Sequence, residues 1–442
     1  MQLSILDCGA TLNAQTPQTE YIQNAIDKCY LSGGGEVVVP KGEFLCGGLR
    51  LRSNVTLHLL KDAKLVGSRN LNDYRAFFNQ DEWNPIPENY LPEYNTATPQ
   101  KRAWFNAFIV IYNEKNVSII GGEGSVIDGQ NCYNPDGEEK FRGPHCITVI
   151  QSENITFKGY TVENSSNWAH AVFTTKNILV DDVTVLAGHD GVHFTICENV
   201  TVRNCKFYTG DDCIAGCVNR NVLVEDCILN SSCNAFRFSG VHVRAYRCHA
   251  FGPGRFAWRL SLTDEEKKNG VVATPNPNRF NTLRSFFSYF IEGKHCKVEE
   301  LPSDMLFADC TVENPQRFIS YFVDSNHSWF NLPAQDITFR NIKATGVYVP
   351  VFLFGDTDAA SAKITMENCD VQFLEERKQN AAFKMGYFHT VRLQNVTTNS
   401  TCERHIALFG DENGKIVIDG GNVQAPNDND VFTKPEFETN YV

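Results

Sequence analysis

Three aspartates and two histidines fall into a pattern that chemistry can use. The segment GHDGVHF at 188–194 carries His189, Asp190 and His193, and TGDDCIAG at 209–216 carries Asp211 and Asp212. Asp190 precedes Asp211 by 21 residues and Asp212 by 22. If the chain returned to the same place every 22 residues, one acid would lie beside two from the next turn. Each like charge raises the proton affinity of its neighbours, so such crowding is unfavourable and is usually retained for function. Glycosidic bonds are cleaved by a carboxyl group that holds its proton, beside another that does not. The first protonates the leaving oxygen; in inverting enzymes the second activates a water across the sugar ring, about 6.5–9.5 Å away. Two other readings use the same residues. Asp-Asp and Asp-Gly are ordinary turn pairs in β-rich chains, and three Asp with His189 and His193 also supply enough donors for a cation.

The elements that position these residues recur along the chain. A short strand signal, usually Asn or Asp followed by Val or Ile, one further residue and another apolar one, appears as NVTL at Asn54, NVSI at Asn116 and NITF at Asn154. It continues as NILV at Asn177, NVTV at Asn199 and NVLV at Asn221, and returns as DITF at Asp336, KITM at Lys363, TVRL at Thr390 and KIVI at Lys415. From Asn154 the steps are 23, 22 and 22 residues. Period-two alternation of β-branched residues, Asn, Gly and Asp at the turns, and no helix-length apolar face between strands select a parallel β-helix among solenoids. Successive coils then stack about 4.8 Å apart, which sets Asp190 beside Asp211 and Asp212. The expectation is an all-β solenoid occupying residues 1–442 as one domain.

Solenoid ends expose strand edges and need covering. Thr16-Pro17 reads as a helix start, with a hydroxyl N-cap and proline at the first position. Ile22, Ala25, Ile26 and Cys29 follow on one apolar face, and Gly33–Gly35 ends the helix, so residues 1–35 form the N-terminal cap. The cadence breaks at about 84–98, which is rich in proline, and at about 263–300, where DEEKKNG, PNPNR and FFSYF read as a loop excursion bordering the site.

Composition narrows the function classes. With 42% apolar and 21% charged residues the chain is an ordinary globular protein, and its formal charge of −12 argues against nucleic acid, which needs clustered cations. No apolar run is long enough for a membrane span. The opening MQLSILDCGATLN has no basic or long apolar leader region. The sixteen cysteines include Cys205, Cys227, Cys248, Cys310 and Cys369 within strand-like stretches such as VRNCKF, and read as buried apolar filling. Cys213 and Cys217, with Cys205 nearby, make no convincing zinc pattern. A cytoplasmic protein without metal or cofactor is expected.

Several long segments resemble the polygalacturonase family, glycoside hydrolase family 28. LDCGATLNAQTPQTEYIQNAIDKC, GGGEVVVPKGEFLCGGLRLRSNVTLHL and AKLVGS resemble its cap and first coils. NVSIIGGEGSVIDGQ and NITFKGYTVENSSNWAHAV resemble its run into the site. The resemblance implies a right-handed parallel β-helix and cofactor-free, inverting hydrolysis of pectic chains. Gly210-Asp211-Asp212 matches the family's Gly-or-Gln-Asp-Asp, and Asp190 in Gly188-His189-Asp190 keeps the acid of Asn-Thr-Asp. By analogy Asp211 is the general acid, and Asp190 and Asp212 hold the water. The family's Gly-His-Gly is replaced by Cys233-Asn234-Ala235, and its Arg-Ile-Lys by Arg259-Leu260-Ser261. Ser261 cannot pair with a uronate carboxylate as a lysine would; Arg237 from the adjacent coil is a replacement or a surface arginine. Arg259, Arg237, His189, His193, Asn234 and Trp168 are the expected substrate contacts, with His170 near Trp168; for His189, His193 and Trp168 ordinary packing is the alternative. The expected function is exo-acting hydrolysis of pectic or related oligosaccharides. A lyase on the same scaffold and a non-catalytic carbohydrate-binding β-helix are the competing readings.

Overall fold

The computed structural model describes residues 1–74, 104–137, 141–269, 271, 280–356, 362–374, 380–410 and 413–432. The expected excursion at 84–98 lies outside them. The described chain winds as a right-handed parallel β-helix in which every strand pairing is parallel. One inward row shows why. Ile155, Ile178, Val200, Val222, Val243, Met305, Ile337, Ile364, Val391 and Ile416 sit in register on ten successive coils. Alternate residues face inward, so one apolar residue per strand per coil builds an unbroken core.

The corners explain the recurring Asn. Asn54, Asn116, Asn154, Asn177, Asn199 and Asn221 all adopt left-handed backbone, with φ of 55–62°. Asn tolerates that region better than other residues with a Cβ. From Asn116 onward each donates through Nδ2 to the Oδ1 of the Asn one coil before, at 2.8–3.0 Å. The ladder therefore satisfies side chains that the tight corner would otherwise leave to water.

A second corner is as regular. Cys205, Cys227, Cys248, Cys310 and Cys369 lie between strands rather than inside them, each following a left-handed Asn, Asp or Arg. Their thiols turn inward, as at Cys205, whose Sγ donates to the Arg203 carbonyl at 3.1 Å. All five are buried, and all sixteen cysteines are free. The apolar-filling expectation holds, but the seat is the corner.

Two boundaries differ from the sequence reading. The cap helix runs Thr19–Leu31 and begins after Gln18, so Thr16 and Pro17 precede it. Gln18 instead ties the entering loop together, donating through Nε2 to the Thr11 carbonyl at 2.7 Å. The predicted face is correct: Ile22, Ala25, Ile26 and Cys29 are buried against the first coils. The FFSYF run lies mostly in strand Leu283–Tyr289, paired with Asn234–Tyr246. Phe287 and Tyr289 point into the core and draw this segment back into the coil.

Candidate functional site

Asp190 occupies the short corner between strands Thr184–Ala187 and Val192–Thr195, and Asp211 and Asp212 occupy the same corner one coil on, before Ile214–Glu225. Backbone bonds lock the two corners in phase: Gly191 N donates to Asp212 O at 2.9 Å, and Cys213 N to Asn234 O at 2.9 Å. Asp190, Asp212 and Asn234 thus stack on three successive coils. Gly210 allows the close approach, since a Cβ there would stand 2.6 Å from the Gly188 carbonyl oxygen.

Each acid has distinct partners. Asp190 contacts His193 Nδ1 through Oδ2 at 2.9 Å and accepts from the Asp212 amide through Oδ1 at 3.3 Å. Asp212 Oδ1 accepts from the amide of Asn234 at 3.2 Å and from its Nδ2 at 2.7 Å. Arg237 stands 4.0 Å from Asp212 Oδ2. Asp211 is held by Arg259 Nε, and Arg142 lies 4.0 Å from the same carboxylate oxygen.

The electrostatics favour retained protons. Burial, then the charge of Asp212, pushes Asp211 up to about 6. Burial, then Asp190, pushes Asp212 up to about 6 as well. Asp190 is driven well above the ordinary range by burial and by Asp211. Arg142 and Arg237 pull Asp190 and Asp211 the other way. With Asp211 and Asp212 both near 6, each can hold and release a proton close to neutral pH.

Aromatic rings enclose the acids. Trp168 is stacked on His193 with centroids 3.8 Å apart and planes 4° apart, and Trp104 meets Trp168 edge-on. Trp168 is half-buried on the outer face of the sheet, packing against an aromatic group separate from the main core. Arg237 is no simple surface arginine: its guanidinium lies 3.8 Å over Phe290 and 5.4 Å from the Trp329 ring centre. His189 is buried beside Phe141 and Tyr133, with Nδ1 lacking a hydrogen-bond partner. Burial lowers His193 to about 3 and His189 well below its usual range, so both rings are neutral. His170 departs from expectation. It points inward, bonded to Tyr160 Oη at 2.9 Å and to Gly191 O at 3.2 Å, away from the acids.

All nine expected site residues converge on this corner. Sequence reasoning missed Arg142, Phe141 and Lys267; the last reaches the site from short helix Asp264–Lys268. Ser261 turns aside to the Trp258 carbonyl, at 2.6 Å. Among the described residues one group of three possible metal donors exists, Asp211, Asp212 and Cys233, with ligand atoms within 4.8 Å of one another. The Cys233 thiol is pushed well above its usual range by burial and by both acids, which makes it a poor ligand.

Comparison with known proteins follows the same lines. The model of glycosyl hydrolases family 28 matches residues 36–238. A probable polygalacturonase of Vitis vinifera is 30% identical over 225 residues, covering 48% of this chain and 43% of that protein. The chain spans about half the length of the curated relatives it matches. Among solved structures, a family 28 exopolygalacturonase of Yersinia enterocolitica has TM-score 0.64 at 18% identity, covering 95% of this chain and 79% of that one. An exopolygalacturonase of Thermotoga maritima has TM-score 0.60 at 16% identity, covering 90% and 92%. At these identities the two structures speak for the fold.

Proposed function

We propose that the chain is a divergent member of glycosyl hydrolases family 28, whose model matches residues 36–238, and that it hydrolyses galacturonide-type oligosaccharides at Asp190, Asp211 and Asp212. Asp211 is the most exposed of the three and gives its proton to the glycosidic oxygen. Asp190 and Asp212, fixed by His193 and Asn234, orient a water, and ionised Asp212 accepts its proton as it attacks the anomeric carbon. Attack from the face opposite the leaving group inverts the configuration. The observation that carries this reading is the stacking of Asp190 on Asp212, with Asp211 beside them, in a corner that pushes all three toward protonation. Arg142 and Arg237 limit that rise on Asp211, so its proton remains transferable.

Exo action is the finer part of the proposal. It is supported by the excursion Arg259–Asn269 standing beside Asp211, by the wall of Phe290 and Trp329, and by the two fold neighbours being exopolygalacturonases. We place the protein in the cytoplasm, acting on short fragments, because all its thiols are free. Product analysis by proton NMR with wild type and Asp211→Asn tests the whole reading. The wild type is expected to release a reducing sugar of inverted configuration, without chelator sensitivity, and the variant to lose at least a hundredfold in kcat. Undiminished turnover in Asp211→Asn removes its acid role. An unsaturated, ultraviolet-absorbing product lost with chelator makes the chain a lyase, and binding without turnover makes it a carbohydrate-binding protein.

A further inference from the structure

Lys267 is buried where a lysine has little reason to be. Helix Asp264–Lys268 opens with a capping box in which Thr263 Oγ1 accepts from Glu266 N at 3.2 Å and Glu266 Oε2 accepts from Thr263 N at 2.9 Å. From Thr263 to Asn269, Lys267 alone is buried, at 3% exposure. Its Nζ stands 3.3 Å from the centre of the Phe141 ring. Among the described residues no carboxylate lies within ion-pair distance of it. Asp264 and Glu266 act on it only from farther off, while Arg259 and Arg142 repel it. The cover is shallow rather than deep, yet it lowers the ammonium to about 8.

Lysines are almost never fully buried unless paired, because an ammonium loses much hydration there. A single aromatic face returns only part of that loss. The described residues supply no such partner, and the surroundings say where a bound anion would meet the ammonium. Phe141 neighbours His189, with ring centres 6.3 Å apart, and the next residue, Arg142, reaches Asp211. The ammonium thus stands on the rim of the acid cluster, on a segment outside the repeat.

We propose that Lys267 is a specificity-determining residue whose ammonium receives the carboxylate of a uronic acid sugar bound at the acid cluster. The proposal rests on the hydrolase reading for the identity of the sugar, but its test does not need turnover. Calorimetric titration with galacturonate, galactose and galactose 6-sulfate separates charge from ring recognition. Wild type is expected to bind galacturonate most tightly. Lys267→Met is expected to weaken galacturonate at least tenfold and leave galactose unchanged, while Lys267→Arg retains most of the affinity. Thermal unfolding of Lys267→Met should match or exceed wild type, since an unpaired buried charge is removed. Equal weakening of both sugars, no weakening at all, or a lower melting temperature would overturn the proposal, as would tighter binding of the sulfate ester. Lysine-dependent galacturonate binding without hydrolysis would retire the hydrolase reading and leave the lysine its role.

Discussion

Replacing Asn234 by Leu isolates one link in the proposed chemistry. Leucine keeps the branched outline and the backbone amide that donates to Asp212 at 3.2 Å, but removes the Nδ2 donor at 2.7 Å. A hydrogen bond to a buried charge contributes about 1.5–3 kcal/mol. At about 1.4 kcal/mol per pKa unit, Asp212 would rise by roughly one to two units from its position near 6. The sign follows directly: the donor favours the ionised carboxylate, so its loss favours the protonated form. If ionised Asp212 accepts the water's proton, kcat/KM on the acidic side falls by that whole factor, about 10–100-fold. On the alkaline side Asp212 is ionised in either protein and the two profiles meet. Reducing-end release from a galacturonide oligomer between pH 4 and 9 measures this. A uniform loss at every pH would mean that Asn234 shapes the site without tuning the acid, and an unchanged acidic limb would remove Asp212 from the proton path.

Other outcomes follow from the same contacts. Asp212→Asn should stabilise the fold at pH 8. The folded-state value of about 6 lies above the ordinary 3.8, so folding gains while the group stays protonated and is penalised as pH rises through 6. Relief of up to about 3 kcal/mol is expected at pH 8, fading by pH 4, and melting curves at both pH values check it. His193→Phe keeps an aromatic ring on Trp168 but loses the contact to Asp190, so kcat should fall about 10–100-fold with little change in melting temperature. Asn177→Ala puts an ordinary residue at φ 57° and breaks two rungs of the ladder. Urea unfolding should show a loss of about 1–2 kcal/mol, smaller for Asn177→Gly.

The coil was legible because its signals are local. From Asn54 to Asn221 an Asn that must turn left-handed announces the corner, and the alternation after it announces which residues face the core. Asp190 and Asp212 could be paired from spacing alone, since register repeats with the coil. What escaped depended on segments outside the repeat. Nothing in GEEKFRG or DEEKKNG marks Arg142 or Lys267 as reaching the acids, because such loops carry no period to place them. His170 and Trp168 are two residues apart, yet one turns inward to Tyr160 and the other lies outside on His193. Their corner precedes strand His170–Phe173, so strand alternation does not extend to Trp168. The thiol row reads as strand in the sequence because corner and strand residues look alike when both are apolar.

The two regular corners also decide where this protein can change. The Asn ladder and the thiol row fix the chain at one side of the coils that carry them. Its length varies instead at the edges of the strands that carry the acids, as between His249–Phe251 and Leu283–Tyr289. The scaffold behaves as a spine with exchangeable ribs. Segments flanking the aspartates can be swapped, lengthened or trimmed without disturbing the core register, so the surroundings of the site can drift while the aspartates stay in phase.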